Sequence, residues 1–333
     1  MVATNSIDVV ITWVDGLDKE WLKEKQKYNP SIDVDESAAR YRDYGTLKYV
    51  LRSIEKFAPW VRNVFLVTNG QIPSWLNAEH PKLCLVKHSD YMPKEYLPTF
   101  SSHPIEWCLH RIDGLSENFI YFNDDMLLAS PVEPKDFFKN NLPRDILGLG
   151  ITSPISFFSS IPFNNMLFLN RHFSIKKVFK SNISKFLNLK YGKWTIFNLL
   201  FATRKCIYGM YNPHIALALK KSYFDFLWEL DPILLDETCK NKFRSKTDVS
   251  IWLVRYWQLL TGNFEPRSIN FGHYFDLHHF LNDPKSIKAV QRGKYKCICL
   301  NDTNAEGFDF FNEQQKLIEI MDGFLGEKSL FEK

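Results

Sequence analysis

A short apolar run that ends in two adjacent carboxylates is the feature that most constrains how this chain folds. Phe119 to Phe122 is rich in residues that favour β-structure, so the pattern predicts a buried strand. The strand ends at Asn123-Asp124-Asp125. Two carboxylates at the end of a buried strand are costly unless something compensates their charge, and ligands of open α/β sheets bind at the carboxyl ends of strands.

The carboxylate pair admits two interpretations. Hard divalent cations prefer carboxylate oxygens, and a cation there would neutralise a diphosphate, so Asp124 and Asp125 are candidate ligands of a metal or diphosphate site. The alternative is an Asx-type turn whose carboxylates are simply solvated. This stretch alone favours neither interpretation.

Other apolar runs end in the same way. Ile7 to Val14 is almost wholly apolar and runs into Asp15, Val64 to Val67 runs into Asn69, and Leu83 to Val86 is a third predicted strand. A run this apolar predicts a strand that is buried on both faces of a sheet.

Segments with helical periodicity alternate with these strands. The predicted helices cover residues 46–57, 105–112, 215–228, 249–260 and 311–324, with Thr46 as the N-cap of the first. This alternation indicates an α/β fold with a mostly parallel sheet. In such a sheet the strand ends at Asp15, Asn69 and Asp124 gather on one edge.

Charge is unevenly distributed along the 333 residues, although the formal net charge is only +4. Residues 146–224 contain no Asp or Glu, and eleven Lys and Arg lie between Arg171 and Lys221 among Phe, Tyr and Trp. The segment predicts an anionic partner, either phosphates, an anionic polymer or a membrane surface, against the alternative of a solvated face. No nucleic-acid motif accompanies it, so no nucleic-acid partner is predicted.

Cysteine spacing and the N-terminus predict a cytoplasmic protein. None of the six cysteines has the spacing of a zinc site or a redox pair, so they are interpreted as reduced core residues. No secretory signal precedes the first predicted strand. The uncharged stretch 146–170 is broken by prolines and paired polar residues, which argues against a transmembrane helix.

Two side chains in the second half are candidate functional groups. His214 precedes a predicted helix, where a histidine is more often a cap or a packed residue than a catalyst. Arg244 lies near the start of another predicted helix and is well placed to bind phosphate. The alternative for Arg244 is a structural salt bridge with Asp248.

Four blocks of sequence resemble the Stealth family. These are sugar-1-phosphate transferases of bacterial capsule and cell-surface polysaccharides, related to the catalytic subunit of the lysosomal N-acetylglucosamine-1-phosphotransferase. The blocks are residues 7–16; residues 42–126, with matches at 42, 51–55, 58–63, 67–73 and 123–126; His214 with residues 244–248; and residues 299–302 with 328–332. Residues 148–202 match none of these blocks and are predicted to set acceptor choice.

The resemblance implies a GT-A-like α/β fold in which helices flank a mostly parallel sheet and which carries a basic aromatic helical insertion. Residues 1–333 are then one catalytic unit. Within it, residues 1–145 form the nucleotide-sugar-binding core, 146–224 form the insertion near the acceptor or membrane, and 225–333 complete the catalytic region.

The resemblance also implies the reaction. An acceptor hydroxyl attacks the sugar-side phosphorus of a UDP-sugar, UMP leaves, and a hexose or N-acetylhexosamine becomes joined to a glycan, expected to be lipid-linked, through a phosphodiester. One alternative is a conventional metal-dependent glycosyltransferase that releases UDP. Another is a non-catalytic polyanion-binding protein, but clustered carboxylates would repel a polyanion.

Each matching residue then has an implied role. His214 is the candidate base and Arg244 the clamp on the transferring phosphate. Asp124 and Asp125 hold a divalent cation, Mg²⁺ with Mn²⁺ as the alternative. The implied substrate-binding residues are Asp15, Arg42, Asn69, Asp248 and Asp302. The implied location is the cytoplasm, peripheral on the inner face of the cell membrane.

Overall fold

A computed structural model describes residues 6–28, 41–153, 160–303 and 309–333. The strands are β1 (Ile7–Thr12), β2 (Val64–Thr68), β3 (Leu83–Lys87), β4 (Asn118–Asn123), β5 (Met126–Leu128), β6 (Phe138–Lys139), β7 (Leu142–Asp145), β8 (Leu217–Lys220), β9 (Glu265–Pro266), β10 (Gly272–Asp276) and β11 (Cys297–Asn301).

Helices surround these strands. They are α1 (Lys19–Lys27), α2 (Thr46–Phe57), α3 (His88–Tyr91), α4 (Ser102–Cys108), α5 (Pro134–Phe137), α6 (Ser160–His172), α7 (Ile175–Ser181), α8 (Ile183–Phe186), α9 (Trp194–Ala202), α10 (Lys221–Leu230), α11 (Pro232–Lys240), α12 (Trp252–Leu260), α13 (Leu277–Leu281), α14 (Pro284–Gln291) and α15 (Phe310–Leu325). Short 3₁₀ helices cover Lys94–Tyr96, Leu109–Arg111, Leu189–Tyr191 and Ile269–Phe271.

The central sheet has the strand order β3-β2-β1-β4-β8. The first four strands are parallel to one another, and β8 is antiparallel at the edge. Helices connect the parallel strands, because a crossover between parallel neighbours needs a long connection. The predicted α/β class, with a mostly parallel sheet flanked by helices, is confirmed.

Strand β1 lies in the middle of this sheet and is buried on both faces, as its apolar run predicts. Val9 and Ile11 pack into a core on one face, while Val10 packs into a second core on the other. Each such side chain contributes about 1.5–3 kcal/mol by leaving water. Packing against both cores therefore fixes β1 in place, and this also fixes the position of the residues that follow the strand.

The strand ends meet on one edge, as predicted. In the register of the sheet Thr12 is opposite both Val67 and Asn123. The chain segments that follow β1, β2 and β4 therefore begin side by side at the same end of the sheet. This edge carries the candidate site.

Helix α2 has the predicted bounds, but its predicted N-cap is wrong. Gly45, with φ of 76°, is the cap residue, and Thr46 is the first residue of the helix. A left-handed backbone at this position favours glycine. On the opposite side of α2, Arg52 forms two hydrogen bonds with the Glu332 carboxylate, at 2.7 and 2.8 Å, and so fastens the C-terminal tail to the core.

The predicted helix over 215–228 is wrong in its first part. Leu217–Lys220 is β8, which pairs antiparallel with β4, and the helix begins only at Lys221. Leucine and alanine favour helix locally, but pairing with an unsatisfied strand edge and burial override that preference. Segment 146–224 therefore contributes one strand to the central sheet.

Helices α6 to α9 lie within residues 160–202 of that segment, and one buried arginine contacts the chain before and after them. The Arg255 guanidinium donates two hydrogen bonds to Asp145, at 2.6 and 2.9 Å, and one each to the Ile146 and Tyr211 carbonyl oxygens. Arg255 is fully buried, so these bonds compensate its charge. Between these anchors lie helices α6 to α9.

No helix among residues 6–28, 41–153, 160–303 and 309–333 combines the length and the apolar composition needed to cross a bilayer. Four of the six cysteines, Cys108, Cys239, Cys297 and Cys299, are buried in the core, as predicted, whereas Cys84 and Cys206 are only half-buried.

Candidate active site

A cavity of about 300 Å³ opens at the carboxyl edge of the central sheet. Its lining includes six of the residues that the sequence singles out: Arg42, Asp124, Asp125, His214, Arg244 and Asp302. They come from five separate parts of the chain. The fold brings them together into one space.

The carboxylate pair lies in the turn between β4 and β5. Strand β5 pairs antiparallel with β11, so the residue after β11, Asp302, is brought towards the pair. A hydrogen bond of 2.9 Å from the Leu300 amide to the Asp125 carbonyl oxygen closes this junction. The position of Asp302 thus depends on a small second sheet, of order β10-β11-β5.

Both carboxylates of the pair resist ionisation. Burial, followed by the charges of Asp125 and Asp43, raises the pKa of Asp124 well above its usual value. Burial also raises the pKa of Asp125, while His214 and a hydrogen bond from Cys299 act in the opposite direction. The two carboxylates therefore have different neighbours, and the surrounding protein does not compensate the charge that their ionised forms would carry.

The groups around Asp125 can hold a metal ion. One of its oxygens, Oδ1, is buried and has no hydrogen-bond partner within the part of the chain that the structure describes. A ligand atom from each of Asp125, His214 and Cys299 lies within 4.8 Å of the other two. An unpartnered buried carboxylate oxygen beside a second carboxylate fits a divalent cation.

His214 faces the cavity from the segment just before β8. Its φ is 45°, a left-handed conformation that costs a residue other than glycine about 1–2 kcal/mol. Its amide donates to Asn212 Oδ1 at 2.7 Å, and its ring stacks on Trp252 and meets the edge of Tyr274. The alternative of a helix cap is wrong, because a strand follows His214.

Arg244 reaches the cavity from the loop between α11 and α12. Its Nη2 donates to Ser102 Oγ at 2.8 Å. Asp248, the predicted alternative partner, is fully buried behind the loop and accepts from His103, Asn241 and Ser245 at 2.7–2.9 Å. Asp248 therefore shapes the loop that presents Arg244, and a substrate contact by its carboxylate would require this network to open.

Arg42 and Asp302 form one side of the cavity as a bidentate pair, with distances of 2.7 and 3.1 Å. His278 also contacts Asp302, at 3.2 Å, and Glu313 at 2.6 Å. Burial opposes the charged form of His278, but Thr303 and these carboxylates outweigh it and raise the histidine pKa. Asp302 is thus held between two basic groups, which fixes its orientation.

Asp15 and Asn69 lie near the cavity but outside its lining. The Asp15 carboxylate accepts from the Leu17 amide at 2.9 Å, and its backbone bonds to Gln71. Asn69 lines an adjoining cavity of about 410 Å³. The two cavities share the walls formed by Trp21, His88, Thr99 and Phe100. The roles of Asp15 and Asn69 in binding substrate stay predictions.

Several residues at the site do not appear among the sequence-derived candidates. Asp43 adds negative charge beside Asp124, Glu106 lines the cavity and accepts from Tyr121, and Cys299 contacts Asp125. Asp43 directly follows the motif residue 42, which is the one signal that could have identified it. Cys299 is the first residue of the matching block 299–302, but it was interpreted only as a core residue, and Glu106 has no such signal because it lies outside the matching stretches.

Comparison with known proteins decides the family. Residues 5–33 match the model of Stealth protein CR1, conserved region 1, and residues 40–145 match that of Stealth protein CR2, conserved region 2. The capsular polysaccharide phosphotransferase WcwK of Streptococcus pneumoniae is 42% identical, over 98% of this chain and 98% of its own. This chain belongs to the Stealth family. The predicted resemblance is confirmed, and with it the assignment as a phosphotransferase.

Two further relatives are also named polysaccharide phosphotransferases. The receptor polysaccharide phosphotransferase WefC of Streptococcus gordonii is 40% identical, over 98% of each chain. The exopolysaccharide phosphotransferase cps2G of Lactiplantibacillus plantarum is 37% identical, over 98% of this chain and 96% of its own.

Similarity to solved structures is much weaker. The galactosyltransferase LgtC, in complex with donor and acceptor sugar analogs, is 11% identical with a TM-score of 0.40, over 95% of this chain and 96% of its own. Mouse xyloside xylosyltransferase 1 is 11% identical with a TM-score of 0.36, over 89% and 98%. At this level the likeness carries no argument about donor or reaction.

Proposed function

We propose that this Stealth protein transfers a hexose 1-phosphate or N-acetylhexosamine 1-phosphate from a UDP-sugar to a glycan hydroxyl and releases UMP. The product is a phosphodiester within a bacterial capsular or cell-surface polysaccharide. The observation that carries the proposal is that His214, Arg244 and the carboxylates Asp124, Asp125 and Asp302 share one cavity. Relatives of nearly equal length are named capsular and exopolysaccharide phosphotransferases.

His214 is proposed to accept the proton of the attacking hydroxyl. The new bond joins the acceptor oxygen to the sugar-side phosphorus, while the bond from that phosphorus to the UMP oxygen breaks. The Asp125 carboxylate next to the imidazole would stabilise the cation that forms on the ring. Stacking on Trp252 and a fixed backbone bond to Asn212 hold the ring in place, which serves the in-line geometry of phosphoryl transfer.

Arg244 is proposed to bind the non-bridging oxygens of the transferring phosphate. Its hydrogen bond to the neutral Ser102 hydroxyl leaves the guanidinium charge available for an anion. A guanidinium can form two parallel hydrogen bonds with a phosphate, and these strengthen as charge moves during transfer.

Asp124 and Asp125 are proposed to hold a divalent cation, Mg²⁺ with Mn²⁺ as the alternative. Burial raises the pKa of both groups, and the charge of Asp125 adds to the rise at Asp124, so a bound cation would stabilise their ionised forms. When bound, the cation would supply positive charge to the diphosphate of the donor.

The helical segment of residues 160–208 is proposed to contact the inner face of the membrane and a lipid-linked acceptor. Three cations of this region and its border serve the fold, because Lys185, Lys220 and Lys221 bond to backbone carbonyls. The exposed cations are Arg171, Lys176, Lys177, Lys180, Lys190, Lys193, Arg204 and Lys205. They accompany exposed apolar side chains at Ile183, Leu189, Ile196, Leu199, Leu200 and Tyr208. Exposed apolar groups beside unopposed positive charge favour an anionic lipid surface.

Phosphorus NMR of the product made from a UDP-sugar tests the reaction. The proposal predicts a phosphodiester resonance in the isolated glycan product and UMP in the supernatant. A glycan product without phosphorus between the sugars, accompanied by UDP, would identify a conventional glycosyltransferase and reject the proposal.

A further inference from the structure

Three side chains of different chemistry meet beside the cavity, and two of them, Asp125 and His214, line it. The Asp125 carboxylate, the His214 imidazole and the Cys299 thiol each offer a ligand atom, and these atoms lie within 4.8 Å of one another. The thiol is fully buried and donates to Asp125 Oδ2 at 3.3 Å. The other oxygen, Asp125 Oδ1, is buried without a hydrogen-bond partner among the residues described.

We infer that Asp125, His214 and Cys299 form a binding site for a thiophilic divalent ion, of which Zn²⁺ is the natural example. Oxygen, nitrogen and sulfur donors together suit zinc, whereas Mg²⁺ takes oxygen ligands. Bonds of about 2.0–2.3 Å place tetrahedral ligand atoms roughly 3.5 Å apart, so the three side chains need to close by little more than 1 Å. On binding, Cys299 releases its thiol proton to solvent as the metal–sulfur bond forms.

This site differs from the proposed magnesium site in its ligands. Asp124, whose charged neighbours are Asp125 and Asp43, remains on the oxygen-rich side. Cys299 lies on β11 opposite Met126, so pairing between β11 and β5 places the thiol beside the carboxylate turn. Three protein ligands leave a fourth coordination position open, as in zinc sites that remain accessible to solvent or substrate, and two of the three ligands, Asp125 and His214, line the cavity.

Occupation of the site has a consequence for catalysis, which rests on the proposed function. A metal ion on the imidazole nitrogen takes the lone pair that would accept the acceptor's proton. The same ion engages Asp125 and removes it from the magnesium site. Zn²⁺ is therefore expected to inhibit transfer at saturating Mg²⁺.

Cobalt provides a probe of the site that does not depend on activity. Co²⁺ bound by a thiolate gives a charge-transfer absorption band, and the band is expected in the wild-type protein and absent in Cys299→Ser. Cys297→Ser is the matched control, because Cys297 is equally buried on the same strand and lies outside the cluster. Cys84→Ser on β3 is a second control should the first one fold poorly. Failure of wild type to give the band, or its persistence in Cys299→Ser, would overturn the inference.

Inhibition is measured separately. The rate of each variant in zinc is divided by its own rate without zinc. Cys299→Ser should raise the Zn²⁺ concentration for half-inhibition at least about 10-fold, because loss of one of three ligands weakens metal binding at least as much as loss of a residue that only contacts a ligand. The cobalt band together with unchanged activity in zinc would support the site and refute His214 as the base. An equal zinc sensitivity of wild type and Cys299→Ser, without a band, would reject the site and leave the proposed function standing.

Discussion

Replacement of Arg244 by alanine should separate a phosphate contact from a structural role. The Arg244 guanidinium donates one hydrogen bond, to Ser102, while the loop around it is held by Asp248. Loss of one such bond costs about 1 kcal/mol of folding free energy. With an unfolding entropy of about 2.1 cal/mol/K per residue, the 333-residue chain should lose only about 1–2 °C in Tm.

The expected loss of activity is far larger. A bidentate contact with phosphate consists of two charge-assisted hydrogen bonds of about 1.5–3 kcal/mol each. Removing both costs about 3–6 kcal/mol of transition-state stabilisation, or roughly 10²–10⁴-fold in kcat/KM for the donor. Arg244→Lys keeps the charge without the fork, so it should recover only part of this loss.

The assay combines steady-state kinetics over a range of UDP-sugar concentrations with thermal unfolding of each variant. Arg244→Ala should raise the donor KM and also lower kcat, because a clamp acts on bound donor and transition state alike. Ser102→Ala is the matched control, since it keeps the guanidinium and removes its partner, and its effect should stay below about 10-fold. An unchanged donor KM and kcat in Arg244→Ala, or a Tm loss that accounts for the lost activity, would refute the assignment.

Three further predictions concern the base, the metal and the basic segment. His214→Ala should lower kcat by about 10²–10⁴-fold, keep donor affinity by calorimetry and lose the wild-type acid limb of the rate–pH profile; substantial turnover would point to another base. Because the folded protein raises the pKa of Asp124, ionisation of this carboxyl group destabilises the fold. The destabilisation grows as the pH rises from the usual aspartate pKa of 3.8 through the raised pKa. Asp124→Asn should therefore raise the Tm of the metal-free protein at neutral pH, and it should abolish both the activity and the Tm increase that Mg²⁺ causes. EDTA should inactivate the wild-type enzyme. Full activity in EDTA would contradict the metal assignment. Replacing Lys176, Lys177 and Lys180 by alanine should weaken co-sedimentation with anionic vesicles and leave the Tm unchanged, whereas an equal loss on neutral vesicles would argue against charge attraction.

The central strands were predictable because burial on both faces leaves a plain signal. Val9 and Val10 point to opposite cores, so the middle of β1 is apolar on both faces, and the same holds for β2 and β4. Strand β8 lacked such a signal. Its leucines and alanine suit a helix locally, and only the position of β4 beside it decides for a strand.

Individual residues of the candidate site were predictable from the sequence, but the way the fold brings them together was not. Asp124 follows a strand, so its place at the sheet edge can be derived from the sequence. Its meeting with Asp302 depends on antiparallel pairing of β5 with β11, segments about 170 residues apart, and no local pattern encodes it. The same pairing explains why Cys299 is a core residue, as predicted, and also a neighbour of Asp125.

Arg244 and Asp248 show how spacing can mislead. A separation of four residues suggests a salt bridge, but Asp248 turns inward to His103 and Asn241 while Arg244 turns to Ser102. The Asp248 side chain is directed by the buried His103 on α4, which lies 145 residues away in sequence, and the neighbouring Ser102 accepts from Arg244.

The fate of the sugar-side phosphorus tests the central claim most directly. A UDP-sugar labelled only at that phosphorus is incubated with the enzyme, Mg²⁺ and acceptor, and the label is followed into glycan and nucleotide. Sugar-1-phosphate transfer predicts that the label enters the glycan, in equal amount with unlabelled UMP. Label that remains in UDP, with an unlabelled glycan product, would contradict the account.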